Sequence, residues 1–274
     1  MGLMLALDRG NESLKVALFD SGTIVGRWRL AGERFEGRLR RLALDAVLGT
    51  IVSGRARLSA GDRRRLVRII AESAVLQGAA YCSVVPGSTR EISRALARLG
   101  AGGILEVDSG ILFPFRILVE SPSRVGPDRL AAAAGVVAAG DREGIIVDAG
   151  TAITVDVLAK KGFLGGAILP GKALCYRALH DGTAALPLVS DAPGTIGHPG
   201  RNTREAILSG VRWGVIGAVK ELVARSRRHV SKDARVWVTG GGGAEIARHL
   251  GAGARYEGDL VFLGLRHLFD LNRR

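Results

Sequence analysis

The chain has 274 residues, 47% of them hydrophobic and only 5% aromatic, so it can bury a large core built from Ala, Val, Leu and Ile rather than from rings. Charged residues are dispersed, which excludes extensive disorder, and the apolar run at 130–139 is too short to span a bilayer. A formal net charge of +13 favours anionic partners, nucleotides and nucleic acids alike.

Residues 3–7 and 15–19 read as strands around a turn at 9–13, and 23–30 as a third strand after Asp20-Ser21-Gly22. Leu39, Leu42, Ala43, Ala46 and Val47 recur at helical spacing and predict a helix over 33–54, with a second over 60–77. A strand over 80–85 ends at Pro86. A helix starts at Ser88-Thr89-Arg90-Glu91 and runs to about Leu99, and 104–107 is a strand. Pro127 at the first helical position and Asp128 in the first turn mark a helix that continues through 139. Strands over 145–147, 153–158 and 163–169 follow, with a turn at Lys160-Lys161-Gly162. The chain closes with a long helix over 203–228, a strand over 235–238, a glycine turn, a helix from Ala244 and a last helix near 260–271.

The two strand–turn–strand units lie in register. Asp148 follows Asp8 by 140 residues, and the same step carries Gly10, Gly22 and Gly26 onto Gly150, Gly162 and Gly166. Ala6/Ile146, Leu18/Leu158 and Ile24/Leu164 coincide as well. Such a register over about 25 residues reads as an internal duplication. It predicts an α/β chain of two similar domains, 1–115 and 116–274, with a central cleft. Gly10 and Gly150 permit sharp turns that bring backbone N–H groups to an anion. Asn11 and Thr151 add hydrogen bonds, and Asp8 and Asp148 at strand ends can hold a cation or its water shell. An ordinary β-turn is the plain alternative for either loop alone.

Cys82 and Cys175 lack CxxC partners and read as small buried hydrophobes in a reducing compartment. Asp8 and Arg9 cut short the opening apolar run, so no secretory leader is expected and a cytoplasmic location is. The arginine clusters 38–41, 63–65 and 225–228 suit solvated helix faces; a nucleic-acid patch is the alternative.

The motifs resemble the superfamily of acetate and sugar kinases, heat-shock chaperones and actin, and within it type III pantothenate kinase. That family's Asp-x-Gly-Asn-Thr and following Lys correspond to Asp8-Arg9-Gly10-Asn11-Glu12-Ser13-Leu14-Lys15. Gly126-Pro127-Asp128-Arg129 matches its Gly-x-Asp-Arg. Asp148-Ala149-Gly150-Thr151-Ala152-Ile153-Thr154-Val155-Asp156 matches its Asp-x-Gly-Thr-Ala-x-Thr-x-Asp, and Gly165-Gly166-Ala167-Ile168-Leu169-Pro170-Gly171 its Gly-Gly-x-Ile-x-Pro-Gly. Leu186-Pro187, Asn202-Thr203, Ser209-Gly210 and Thr239-Gly240-Gly241 continue the order. Each motif is weak alone; the ordered set, from residue 8 to about 243, is specific.

The resemblance implies an actin-like (ribonuclease H-like) duplicated fold and ATP-dependent phosphorylation of pantothenate, the first step of coenzyme A synthesis. By carry-over, Asp128 is the general base, and Asp8, Arg9, Gly10, Asn11, Glu12, Ser13, Leu14, Lys15 and Thr151 contact ATP. Gly126, Pro127, Asp128, Arg129 and Thr203 belong to the pantothenate site. Asp148 holds a monovalent cation, K+ or NH4+, and Asp8 a Mg2+ through water. The family is homodimeric, and Gly210, Gly214 and Gly217 fall nearly on one face of the long helix, where they suit a dimer contact or packing within the subunit. Two positions depart from the pattern. Glu12 replaces a Thr beside the triphosphate, and Val119 replaces a substrate-contacting Tyr. Both suit a second expectation, a non-catalytic regulatory or nucleic-acid-associated relative; a kinase for another small hydroxyl compound is a third.

Overall fold

A computed structural model describes residues 2–31, 76–191 and 197–273. The expected helix over 33–54, and all but the last two residues of that over 60–77, lie outside the described residues. Those two, Leu76 and Gln77, open a strand instead.

The chain forms two compact units, each holding one five-stranded sheet. The first unit takes Met1–Arg116, Glu120–Gly140 and Leu260–Arg274. Its strands are β1 (Leu3–Arg9), β2 (Ser13–Asp20), β3 (Thr23–Ala31), β4 (Leu76–Ser83) and β5 (Ile104–Glu106). They lie in the order β3-β2-β1-β4-β5, with β1–β2 and β2–β3 antiparallel and β1–β4 and β4–β5 parallel. Every residue of β1 is buried, as a central strand covered on both faces requires. Alternate residues Leu3, Leu5 and Leu7 pack with Val16, Leu18 and Tyr81 against Ile92, Ala95 and Leu96 of α1 (Ser88–Arg98).

The opposite face is covered by α2 (Pro127–Ala138) and by the helix Leu260–Asn272, labelled α6 below. These two helices cross at contact distance. A Cβ on Gly264 would stand 1.8 Å from the Ala131 carbonyl oxygen, and one on Gly135 2.1 Å from that of Leu260. Only glycine lets the backbones meet. Both helices therefore group with the first sheet, although they follow residue 116 in the chain.

The second unit takes Ile117–Val119 and Asp141–Asp259. Its strands β6 (Gly144–Ala149), β7 (Ala152–Ala159), β8 (Gly162–Pro170), β9 (Arg235–Thr239) and β10 (Ala254–Tyr256) lie in the order β10-β9-β6-β7-β8. Its helices are α3 (Lys172–Asp181), α4 (Thr203–Ser226) and α5 (Gly243–Leu250). Val215, Val219 and Val223 of α4 pack on Ile145, Val147 and Val155. Helix α3 has no sequence forecast: Gly171 caps it without a side-chain bond, so no capping signal announces it. Strand β10 is three residues long, too short for a period.

The duplication holds in the fold, but the unbroken register of 140 does not. In the first hairpin Asp8 pairs with Lys15; in the second Asp148 pairs with Thr154. The Gly10 amide bonds the Ser13 carbonyl, whereas the Gly150 amide bonds that of Ala152. The second loop is one residue shorter, and beyond it the units correspond with an offset of 139. Leu18 thus matches Val157, not Leu158, and Lys15 matches Thr154, not Val155. Because strand side chains alternate, that single residue decides which face each one occupies.

Candidate functional site

Lys15, Asp8 and Cys82 form a row across β2, β1 and β4, since the register places Asp8 opposite both. Asp8 is 6% exposed and lies on the face away from α1. The Lys15 ammonium donates to its Oδ2 at 2.8 Å, and the Cys82 thiol to its Oδ1 at 3.7 Å. Burial pushes the Cys82 thiol well up, and the Asp8 and Asp128 carboxylates push it further. The base expected from the sequence thus lies within electrostatic reach of the Asp8 cluster, in one unit.

Helix α2 places Asp128. Gly126 is its N-cap, Pro127 opens it, and the Asp128 carboxylate accepts from the Arg129 amide at 2.9 Å. A Cβ on Gly126 would sit 2.5 Å from Asp128 Oδ1, so the glycine leaves that oxygen its place. The first turn of a helix favours the ionised carboxylate, and Asp128 is only partly buried.

The remaining residues of the first loop separate by exposure. Arg9 is buried at the end of β1, where its carbonyl accepts from the Val84 amide. Leu14 belongs to the α1-side core, so only its backbone faces the loop. The Ser13 hydroxyl accepts from Arg29 Nε at 3.3 Å. Asn11 and Glu12 are exposed at the tip, in the stretch that makes this loop longer than its counterpart.

In the second unit the loop around Gly150-Thr151 is gripped from two sides. The Gly171 amide donates to the Thr151 carbonyl, and the Gly242 amide to that of Ala149, each at 3.0 Å. Gly240 has φ +85°, and a Cβ there would lie 2.5 Å from Asp148 Oδ1 and 2.6 Å from the Ala149 carbonyl. Two motif glycines, 171 and 240, are therefore explained by close approach to one loop. Thr154, at the place that Lys15 holds in the first unit, carries a buried hydroxyl with no hydrogen-bond partner among the described residues.

Beside that loop lies a cavity of about 820 Å³, reached by Gly150, Gly241 and Gly242. Its charged wall escaped the sequence reading. Glu245 on α5 accepts from Lys172 on α3 at 2.8 Å and meets Arg212 on α4 at 2.7 Å; Lys172 also pairs with Asp191. Burial alone would raise the Glu245 carboxyl, but its hydrogen bond and charge contact with Lys172, and the Arg212 charge, hold it below the usual range. Burial would lower Lys172, yet Asp191 and Glu245 outweigh it and raise the ammonium. Burial, with Asp191, pushes the phenol of Tyr176 in the same wall up to about 12. Lys172 and Glu245 stand 73 positions apart, so no local signal joins them.

Thr203 is exposed at the first turn of α4, where Asn202 caps the helix by accepting from the Glu205 amide. Val119 belongs to the second unit and lies against Gly165, where an added Cβ would come within 3.2 Å of its side chain. Gly126, Pro127, Asp128 and Arg129 belong to the first unit, so Val119 and Thr203 are not in the same unit as the base.

Among the described residues no three His, Cys, Asp or Glu side chains gather as a metal site. Asp8, already bonded by Lys15, suits a Mg2+ that keeps phosphate and water ligands. Asp148 Oδ1 and the Ala149 carbonyl both crowd the space beside Gly240, an oxygen pair chemically suited to a monovalent cation. No described helix is long and apolar enough to cross a membrane.

The family model for type III pantothenate kinase matches residues 4–225. The type III pantothenate kinase of Dehalococcoides mccartyi strain BAV1 is 33% identical over 277 residues, covering 98% of this chain and 96% of its own. That of Chlorobium luteolum is 37% identical over 216 residues, 75% and 78% of the two chains. Among solved structures, a Baf family protein from Campylobacter jejuni aligns with TM-score 0.59 at 20% identity, over 98% of both chains. The ADPNP-bound activator of 2-hydroxyisocaproyl-CoA dehydratase from Clostridium difficile aligns with TM-score 0.55 at 15% identity, over 99% of this chain and 96% of its own. These structural likenesses carry the fold, a two-unit actin-like α/β architecture.

Proposed function

We infer the reaction from one premise: this chain belongs to the type III pantothenate kinase family, and it transfers the γ-phosphoryl group of ATP to the primary hydroxyl of pantothenate. The product is 4'-phosphopantothenate, and the step opens coenzyme A synthesis. The observation that carries the reading is Asp128, a first-turn carboxylate within electrostatic reach of the Lys15–Asp8–Cys82 row. The experiment is an ATP- and K+-dependent assay of pantothenate phosphorylation by the purified protein. Phosphorylated pantothenate is expected by mass spectrometry; none from folded protein would overturn the reading.

Phosphoryl transfer asks the protein mainly to position groups and neutralise charge. Asp128 accepts the proton of the pantothenate hydroxyl as its oxygen attacks phosphorus. Arg129 steadies the charge on the transferring group, and Lys15 stands as a cation near the phosphates. Asp8, Arg9, Gly10, Asn11, Lys15 and Thr151 are the ATP contacts that the family motifs assign. Asp8 would hold Mg2+ and Asp148 with the Ala149 carbonyl would hold K+ or NH4+; the bound cations would supply further charge neutralisation. Gly126, Pro127 and Thr203 contact pantothenate. The enzyme works in the cytoplasm.

Glu12 puts a carboxylate at the exposed loop tip. Glu12→Thr is expected to lower KM for ATP about two- to fivefold at low salt, with the gain shrinking as ionic strength rises. Steady-state kinetics at two salt concentrations check this; an unchanged KM means that Glu12 does not face the triphosphate.

The enzyme is a homodimer paired through α4. Among the described residues, added Cβ atoms at Gly210, Gly214 and Gly217 would meet nothing within 4 Å, so packing against those residues does not require these glycines. With Leu169, Pro170 and Leu179, Gly210 and Gly214 line an apolar groove in which a second α4 can approach closely. Gly214→Leu is expected to shift the sedimentation coefficient towards monomer; an unshifted dimer places the contact elsewhere.

A further inference from the structure

Cys82 is fully buried in the middle of a sheet, and its thiol donates to a carboxylate. The parallel register of β4 on β1 sets it directly opposite Asp8, and the antiparallel register of β2 sets Lys15 opposite Asp8 from the other side. The two oxygens of Asp8 are thereby divided: Lys15 takes Oδ2 and Cys82 takes Oδ1. We propose that Cys82 is a positioning residue of the kinase, whose S–H fixes the plane of the Asp8 carboxylate and so the direction in which Asp8 meets the metal–nucleotide. The inference rests on the reading of Asp8 as a nucleotide-site residue.

The chemistry favours a thiol in this place. Lys15 already balances the Asp8 charge, and a second cationic side chain would compete with the metal–nucleotide for the carboxylate. A thiolate would repel both Asp8 and Asp128. A neutral, compact donor avoids both faults, and the register of β4 on β1 brings the Cys82 thiol to the Asp8 oxygen that Lys15 leaves open. Methyl groups would fill the same space but leave Oδ1 without its donor.

Three variants and a cycle separate this role from packing. Cys82→Val keeps a buried apolar side chain without the donor and is expected to raise KM for MgATP about fivefold. KM for pantothenate should stay within a factor of about two. Cys82→Ser restores a donor and should recover most of the MgATP affinity. If Val and Ser behave alike, the effect is packing and the proposal fails. Asp8→Asn keeps the shape of the side chain and should itself raise KM for MgATP. In the Asp8→Asn background Cys82→Val should then have little further effect, because the thiol acts through Asp8. Additive effects overturn the inference. An Asp8→Asn enzyme with wild-type KM for MgATP overturns instead the placing of Asp8 in the nucleotide site. Thermal melts run in parallel identify any variant whose loss is unfolding.

Discussion

Asp128→Asn is expected to lower kcat about a thousandfold while KM for ATP stays within a factor of about two. A positioned general base contributes roughly 10²–10⁴, and the substitution removes the proton acceptor without disturbing its setting. The Asn side-chain oxygen can still accept from the Arg129 amide, as the carboxylate does at 2.9 Å, and the space left by Gly126 still fits it. Pro127 and the Gly126 cap are untouched, so α2 should start where it does now. Single-turnover measurements with saturating ATP and pantothenate test the chemical step directly. Retained turnover would remove Asp128 from the role of base, and a collapsed melting temperature would make the variant a folding defect.

The second large effect comes from a residue that touches no substrate. Gly264→Ala should destabilise the protein by about 3 kcal/mol or more, because its methyl would stand 1.8 Å from the Ala131 carbonyl oxygen and force α6 away from α2. A fall in melting temperature of roughly 6–12 °C is expected for a protein of this size. The remaining folded fraction should also lose kcat, since α2 carries Asp128 at its first turn. Gly103→Ala is the comparison: its methyl would meet Phe269 at 3.8 Å, an ordinary contact. If both variants melt alike, close approach of α2 and α6 does not limit stability.

Much of the fold was legible because it rests on local patterns. The continuous apolar stretch in β1, the turns at Gly10 and Gly22, and Pro127 with Asp128 each place an element without knowledge of its partners. The duplication was legible for the same reason, and its register failed at a point that local patterning cannot see. Chance matches such as Gly22 with Gly162 keep the 140-residue step plausible, and only the pairing of Asp148 with Thr154 exposes the missing loop residue. Family motifs pointed to Asp8, Asp128, Asp148 and the glycines around them. They were silent on Cys82, which owes its place to a strand 74 positions away, and on Glu245, clamped by residues on two other helices. Helix α3 stayed hidden because a bare glycine caps it. Long-range pairing, rather than composition, decides the places of Cys82 and Glu245.

The assignment of α6 to the first unit also sets an order of assembly during synthesis. Most of the second unit is the continuous stretch Asp141–Asp259, whereas the first waits for Leu260 onward. At the usual elongation rate of roughly 5–20 residues per second, the ~120 residues between Gly140 and Leu260 impose a delay on the order of ten seconds. During that interval the first sheet lacks α6, including the packing of Phe269 against Gly78. The unit begun first is therefore completed only after the Asp141–Asp259 stretch of the second has been made.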